Sequence, residues 1–172
     1  GLQDQITYWQ RQLHQIPTLH QIPLDHERPM EKQFQGDLVT TILDKYTAEK
    51  LLQIAKKYQL TPFMLLHGAL ALVLSRHSGS DDIVIGSPVA NRQEAVLESL
   101  IGFFVNTLVL RVNTDHCTLH DYFKHIRQVH LEAQSNQDVP FEQLVEALNV
   151  PRSNTHSPLF QILLTTNNEF DV

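Results

Sequence analysis

The sequence is poor in the residues that build cross-linked or phosphate-binding proteins. Cys117 is the single cysteine in 172 residues, so a disulfide framework and a zinc site of several thiolates are both excluded within one chain. The 13 Lys and Arg residues are outnumbered by 19 Asp and Glu, and no basic run reverses that balance locally. Because nucleic-acid binding depends on neutralising phosphates, we expect no nucleic acid among the partners.

The sequence also lacks a long apolar run. Its most apolar stretch, from Phe63 to Leu74, is interrupted by His67 and is shorter than the roughly 20 residues of a membrane span. The residues from Gly1 to Gln12 mix Gln, Asp and Arg with apolar positions and do not resemble a secretion signal. We therefore expect a soluble, cytoplasmic protein without a membrane partner.

What the sequence does contain is enough apolar material for one core. A hydrophobic content of 42% suits a single unit that extends over residues 1–172, without internal repeats or low-complexity tracts. Within it, residues 17–36 carry three prolines and no apolar period. This segment is predicted to be an extended connector.

Apolar periodicity predicts alternating helices and strands. Helices are predicted over residues 2–16, 47–58, 62–74, 93–100, 118–133 and 141–148. Strands are predicted over residues 38–43, 82–86, 103–112 and 158–166. Because the strands are apolar on both sides, the fold class is predicted to be α/β, with helices on both faces of a sheet.

Three threonines mark predicted helix starts. Thr47 and Thr118 are predicted N-caps, and Thr61 is followed by a proline at the first helical position. The helix after Thr61 is apolar nearly all round, so it is expected to lie in the interior, with Gly68 permitting close approach by a neighbour. The helix after Thr118 is expected to bury Leu119 together with the rest of its apolar stripe.

The ten histidines raise the question of a metal site. His116 and His120 lie four residues apart with Cys117 between them. If Thr118 caps the helix, however, His116 lies outside it and away from the face that carries His120. The sequence therefore predicts no bound metal.

Three further histidines are interpreted as structural. His125 and His130 are five residues apart, about 140° round a helix, and cannot share a ligand face. His67 lies within an apolar helix. We interpret it as a core histidine hydrogen-bonded to a carbonyl, in preference to a catalytic base, because buried polar groups are normally paired.

Polar residues inside the predicted strands require partners. Asn106 faces the same way as the leucines of its strand, so its amide either bridges backbone segments or lines a polar cavity. Arg92 and Arg111 flank apolar strands and require a buried counter-charge such as Asp82. These three charges are predicted to form a buried network.

Four ordered sequence blocks resemble one known family. Residues 101–111, IGFFVNTLVLR, are similar to the fifth conserved motif of the condensation domains of non-ribosomal peptide synthetases. Residues 136–142, NQDVPFE, resemble the sixth motif, and residues 157–160 resemble the end of the seventh. Residues 81–92 resemble the block that precedes the fifth. On this basis the chain is identified as the C-terminal lobe of a condensation domain.

The resemblance implies a fold and a reaction. The expected fold is a chloramphenicol-acetyltransferase-like lobe, a mixed β-sheet flanked by α-helices, which pairs with an N-terminal lobe over a tunnel. Donor and acceptor carrier proteins, beside a neighbouring adenylation domain, would present thioesters on phosphopantetheine arms, and no cofactor would be bound by this chain itself. The acceptor amine would attack the donor carbonyl and form a peptide bond.

The family's catalytic motif, two adjacent histidines followed after three residues by Asp-Gly, is not present in these residues. Arg76 to Asp82 imitates its spacing but has Arg in place of the first histidine and Asp in place of the glycine. We therefore assign no catalytic residue and expect this chain to be inactive alone. The alternative is a non-catalytic module of the same fold that docks carrier proteins or another enzyme.

The resemblance also suggests which residues lie near the substrates. Those expected near the reacting groups are Ser87, Gly102 and Asn106. Those expected in a segment that touches the other lobe are Gln137, Asp138, Pro140 and Phe141.

Overall fold

The computed structural model describes residues 1–17, 44–90, 105–150 and 159–165. The strand predicted over 38–43, the helix predicted over 93–100 and nearly all of the predicted connector lie outside these residues. Gly102 and Arg92 lie outside them as well.

Five helices and two strands make up the described part of the chain. In chain order they are α1 (Leu2–Gln12), α2 (Lys45–Lys57), α3 (Pro62–Ser78), β1 (Asp82–Ala90), β2 (Val105–Asn113), α4 (Leu119–Ser135) and α5 (Phe141–Ala147). Each overlaps a predicted element, although α1 ends at Gln12, four residues before the predicted end at Ile16.

The strands form an antiparallel ladder that is buried on both faces. Ile83 and Ile85 on one face of β1 are fully buried, as is Val84 on the other. A third segment joins β1 in parallel, because the Gly86 N–H donates to the Ile162 carbonyl and the Gly86 carbonyl accepts from the Leu164 N–H, both at 2.9 Å. β1 is therefore hydrogen-bonded to β2 along one edge and, at Gly86, to this segment on the other, and double burial explains why its sequence is apolar without alternation.

Helices α3 and α4 cross closely over one face of this sheet. A methyl group at Gly68 would lie 3.3 Å from the Ile126 side chain, and the Tyr122 hydroxyl donates to the Gly68 carbonyl at 2.6 Å. The predicted role of Gly68 in close approach is confirmed. At the start of α3, the Thr61 hydroxyl accepts from the Met64 N–H and Pro62 occupies the first turn, as predicted.

Four local predictions were wrong. The cap of α2 is Asp44, whose carboxylate accepts from the Thr47 N–H, because Asp is as good a cap as Thr and stands one turn earlier. Leu119 is 55% exposed, since the first residue after the Thr118 cap precedes the buried stripe. Helix α3 is only partly interior, because its Val73 is 52% exposed. Strand β1 continues past Gly86 to Ala90.

Within the described ranges, no single helix is long and apolar enough to cross a membrane. Helices α2 and α3 reach that length and composition only when taken together, and they are bent by 97° relative to each other.

Gly86 is a position where a side chain does not fit. A methyl group there would lie 2.7 Å from the ring of Phe160, which covers this face of β1. We predict that Gly86→Ala lowers the free energy of unfolding by about 1–3 kcal/mol, because overpacking forces neighbours to shift. In a Phe160→Ala background the same change is expected to cost close to nothing. Urea denaturation of the four chains measures this coupling, and equal costs in the two backgrounds would contradict the packing explanation.

Candidate functional site

Residues predicted from three separate motifs meet at one end of the β1–β2 ladder. Ser87 pairs with Leu108, and Asn106 pairs with Val89 two positions further along. Gln137, in the turn that follows α4, lines the same cavity as Ser87. We call this region the motif corner, defined by Ser87, Asn106 and Gln137.

The amide of Asn106 connects β2 to the segment after α4. Its Nδ2 donates to the carbonyls of Gln137 at 3.3 Å and Val139 at 3.1 Å, and its Oδ1 accepts from the Phe141 N–H at 2.9 Å. Of the two alternatives predicted for Asn106, these hydrogen bonds show the bridge between backbone segments. With both amide hydrogens donated, the side chain fixes the segment after α4 to β2, and a direct role toward substrate stays a prediction.

The other predicted residues of this segment have mainly structural contacts. Asp138 exchanges two hydrogen bonds of 3.0 Å with Gln5 of α1, one through its carboxylate and one through its N–H. Pro140 is the N-cap of α5, and the ring of Phe141 meets that of Phe160 edge-on at 5.5 Å. A contact of this segment with another lobe stays a prediction.

A cavity of about 360 Å³ opens beside the motif corner. Its floor is formed by the ends of β1 and β2, and its other walls come from the start of α3 and the end of α4. The described residues that line it are Phe63, Ser87, Pro88, Val89, Leu108, Leu110, His130, Gln134 and Gln137. We call it the His130 cavity.

Behind this cavity lies a buried pair of histidines. Nδ1 of His67 lies 2.7 Å from Nε2 of His130, and the two residues are 0% and 4% exposed. The ring of Phe63 stands edge-on to that of His130 at 5.8 Å. The second nitrogen of His67, Nε2, is buried without a hydrogen-bond partner.

Both imidazoles are held neutral. Burial, followed by the proximity of His130 and His125, lowers the pKa of His67 to about 3. Burial lowers the pKa of His130 to about 4. Because a charge on either ring would be desolvated, neither ring is protonated near neutral pH.

The partner of His67 was predicted wrongly as a carbonyl. His130 was missed as that partner because it was compared only with His125 as a possible metal ligand. Its spacing from Ile126 and Ala133, four and three residues away, places it on the buried stripe of α4. One histidine on the apolar face of each of two helices is the sequence signal that could have indicated the pair.

Arg111 fastens α1 to the sheet. Its guanidinium makes a bidentate contact with Asp82, at 2.9 and 2.7 Å, and also donates to the carbonyls of Gln12 at 3.1 Å and His14 at 2.7 Å. The predicted pairing of Asp82 with Arg111 is confirmed. The pair is less buried than predicted, since the side chains are 40% and 20% exposed.

No three His, Cys, Asp or Glu residues of the described segments lie close enough together to hold a metal ion. His116 stacks on His125, with ring centroids 4.8 Å apart. His125 in turn accepts from the Asn113 N–H at 3.1 Å, so this contact joins the end of β2 to α4.

Comparison with known proteins identifies the family that this sequence matches. A family model described as "Condensation domain" matches residues 1–171. Malpinin synthetase of Mortierella alpina is 42% identical over 171 residues, which are 99% of this chain and 2% of that protein. The dimodular nonribosomal peptide synthase of Bacillus subtilis (strain 168) is 38% identical over 168 residues, which are 97% of this chain and 7% of that protein. The chain thus spans a small fraction of the length of these relatives.

Solved structures agree on the fold. The X-domain from teicoplanin biosynthesis superposes with a TM-score of 0.82 at 27% identity, over 94% of this chain and 36% of that one. A four-domain nonribosomal peptide synthetase bound to AMP and glycine gives a TM-score of 0.82 at 29% identity, over 93% of this chain and 12% of that one. These likenesses confirm the predicted α/β, acetyltransferase-like lobe and the resemblance read from the motifs.

The contacts of Arg111 lead to a prediction for α1. We expect Arg111→Ala to lower the free energy of unfolding by about 1–3 kcal/mol, because it removes several charge-assisted hydrogen bonds and leaves Asp82 unpaired. Arg111→Lys is not expected to restore the lost stability, since an ammonium cannot bind the Asp82 carboxylate in the bidentate mode. Urea titration measures the loss, and the fluorescence of Trp9, buried on α1, reports whether the helix leaves the sheet.

The matched control for this change is Arg127→Ala. Arg127 is exposed on α4 and is expected to contribute little to stability. If both arginine variants lost the same stability, the contacts of Arg111 with α1 would be unimportant.

The histidine pair predicts a pH dependence of stability. Since the folded pKa values of about 3 and 4 lie below the unfolded value of 6.5, the unfolded state binds more protons at acidic pH. Stability is therefore undiminished above about pH 6.5, falls as the pH drops below it, and has lost about 2 kcal/mol for each group at pH 5. The double variant His67→Asn/His130→Gln keeps hydrogen-bonding groups that do not titrate and is expected to show a weaker acid dependence.

Urea midpoints between pH 5 and pH 7 measure this slope, with His77→Asn on the exposed end of α3 as the control. An unchanged slope in the double variant would rule out the pair as its source.

Proposed function

We propose, because this chain belongs to the condensation-domain family, that it forms the acceptor-side wall of a tunnel in which a peptide bond is made between carrier-bound thioesters. The observation that carries the proposal is the motif corner, where Ser87, Asn106 and Gln137 from three separate motifs meet beside one cavity. The N-terminal lobe of the same domain would form the opposite wall and supply the catalytic histidines.

The chemistry of the motif corner supports a wall in preference to a reacting centre. The Asn106 amide is engaged by backbone groups, and the His67–His130 pair is buried and neutral. A general base must reach the proton that it removes, and the described residues place no free carboxylate or exposed imidazole in the walls of the cavity. The chain would therefore shape and hold the site while the base comes from the other lobe.

The proposal includes partners that fit such a tunnel. A donor and an acceptor carrier protein, each with a phosphopantetheine arm, would approach from opposite ends, with an adenylation domain as a neighbour in the same synthetase. The four-domain synthetase that this lobe resembles is one chain that holds AMP and glycine, which supports a multidomain setting. The proposal includes a cytoplasmic location, which suits a chain whose single cysteine cannot form an internal disulfide.

A docking module is the second candidate function. One observation favours it, because the X-domain in complex with OxyB from teicoplanin biosynthesis also superposes on this chain, with a TM-score of 0.81 at 27% identity. The same lobe architecture is therefore found in a domain that binds another protein.

Reconstitution separates the two candidates. We expect no amide product when this chain alone is mixed with an aminoacyl-loaded donor and an acceptor carrier protein. We expect product, detected by mass spectrometry of the acceptor arm, when the complete domain with its N-terminal lobe is supplied. Amide formation by this chain alone would contradict the proposal.

A complete domain that retains both family histidines, binds the carrier proteins and makes no product with any loaded pair would favour the docking module. Alanine substitution of the two family histidines in the active domain serves as the control for the chemistry.

A further inference from the structure

We infer that the His130 cavity binds the side chain of the acceptor aminoacyl group and selects an uncharged one. The inference rests on the proposed function, since it assigns to one cavity a specific part of the substrate. It is carried by the position of the cavity, the chemistry of its walls and the fixed state of the histidine pair behind it.

The position of the cavity is next to the expected path of the substrate. Ser87 and Gln137 are both lining residues and members of the motif corner. Asn106 holds the Gln137 backbone to β2, so the corner is joined directly to one edge of the cavity. An acceptor whose amine lies at the corner would have its side chain within reach of the cavity.

A second and larger cavity suits this role less well. It measures about 560 Å³, lies between α1 and α4, and is lined by Arg11 and Glu132 among other residues. None of the residues predicted near the reacting groups borders it.

The walls of the His130 cavity fit an uncharged group. Its floor is apolar, with Leu108 and Leu110 from β2 and Val89 from β1, and Phe63 closes one side. The polar lining groups are a hydroxyl, two amides and one imidazole, and none of the nine described lining residues carries a formal charge. A charged side chain would lose water there without gaining a counter-ion.

The contacts of the histidine pair fix where its hydrogens lie. A single hydrogen lies between His67 Nδ1 and His130 Nε2, and it can belong to either ring. If it belonged to His130, His67 would carry its own hydrogen on Nε2, a buried N–H without a partner. Buried N–H groups without a partner are rarer than unpaired acceptors. His67 is therefore the donor, and the hydrogen of His130 lies on Nδ1.

The size of the cavity points to one side chain. At about 360 Å³ it lies at the lower end of the range found for small-molecule sites, which begins near 300 Å³. This is room for a single aliphatic or aromatic group and not for a peptide segment. His67 acts as the positioning residue that fixes the tautomer of His130, the imidazole that lines the cavity.

The test compares acceptors in the complete two-lobed domain. Leucyl, lysyl and glycyl thioesters are supplied on the same acceptor carrier, and kcat/KM is measured for each. We expect leucyl to be favoured over lysyl. Val89→Phe fills the cavity and is expected to lower the leucyl-to-glycyl ratio of kcat/KM about tenfold or more, the range for one side chain in a pocket. Phe63→Ala enlarges the cavity and is expected to shift preference toward tryptophanyl acceptors.

Val73→Phe is the matched control, because Val73 is 52% exposed on α3 and does not border the cavity. It is expected to leave all ratios unchanged. Equal acceptance of leucyl and lysyl groups by the original domain, or an equal loss for leucyl and glycyl in Val89→Phe, would overturn the inference while the proposed function stands.

If the complete domain makes no amide at all, the proposed function fails and the cavity is tested directly. Nitrogen NMR of the imidazoles in the 172-residue chain reports the His130 tautomer and its response to N-acetyl-leucinamide. A response in the original chain and in Val73→Phe that is lost in Val89→Phe supports the cavity as a binding site. The absence of any response, with N-acetyl-lysinamide as the comparison, would overturn it.

Discussion

The structure depends on a two-stranded ladder that is buried on both faces. Neither face of β1 is available to water at Ile83, Val84 or Ile85, so backbone groups there must bond to a neighbouring strand and side chains must be apolar or fully paired. On the second edge of β1, the segment with Ile162 and Leu164 provides hydrogen-bond partners for the N–H and the carbonyl of Gly86. Leaving a polar group unpaired at this depth costs about 1–3 kcal/mol, a large part of the stability of a typical domain.

This constraint explains the three unusual residues of the ladder. Asn106 satisfies both ends of its amide on the segment after α4, and Arg111 satisfies its guanidinium on Asp82 and the end of α1. Gly86 lets Phe160 lie directly on the strand. Each of these three residues therefore fixes a different segment of the chain to the ladder. The contacts that exclude water from the ladder thus also position the segments around it.

Sequence patterns predicted this framework well because double burial removes ambiguity, and continuous apolar runs located both β1 and β2. Local choices between equivalent groups were harder, as in the cap of α2, where Asp44 and Thr47 differ little in intrinsic preference. The residues of the motif corner could be named from motifs, but only the register of β1 with β2 and the turn after α4 bring them together. The partner of His67 lies 63 residues away on another helix, and no local pattern joins the two. Such contacts depend on how α3 and α4 cross, which follows from Gly68 and its neighbours acting jointly.

Burial gives the histidine pair a structural role in this lobe and not a catalytic one. An imidazole that is to accept a proton near neutral pH needs access to solvent or a stabilising carboxylate, and His67 has neither among the described residues that contact it. His67 therefore contributes through packing and its hydrogen bond to His130, and not through proton transfer. A lobe built in this way shapes a cavity without supplying a base, and this is consistent with a division of labour in which a second lobe carries the base.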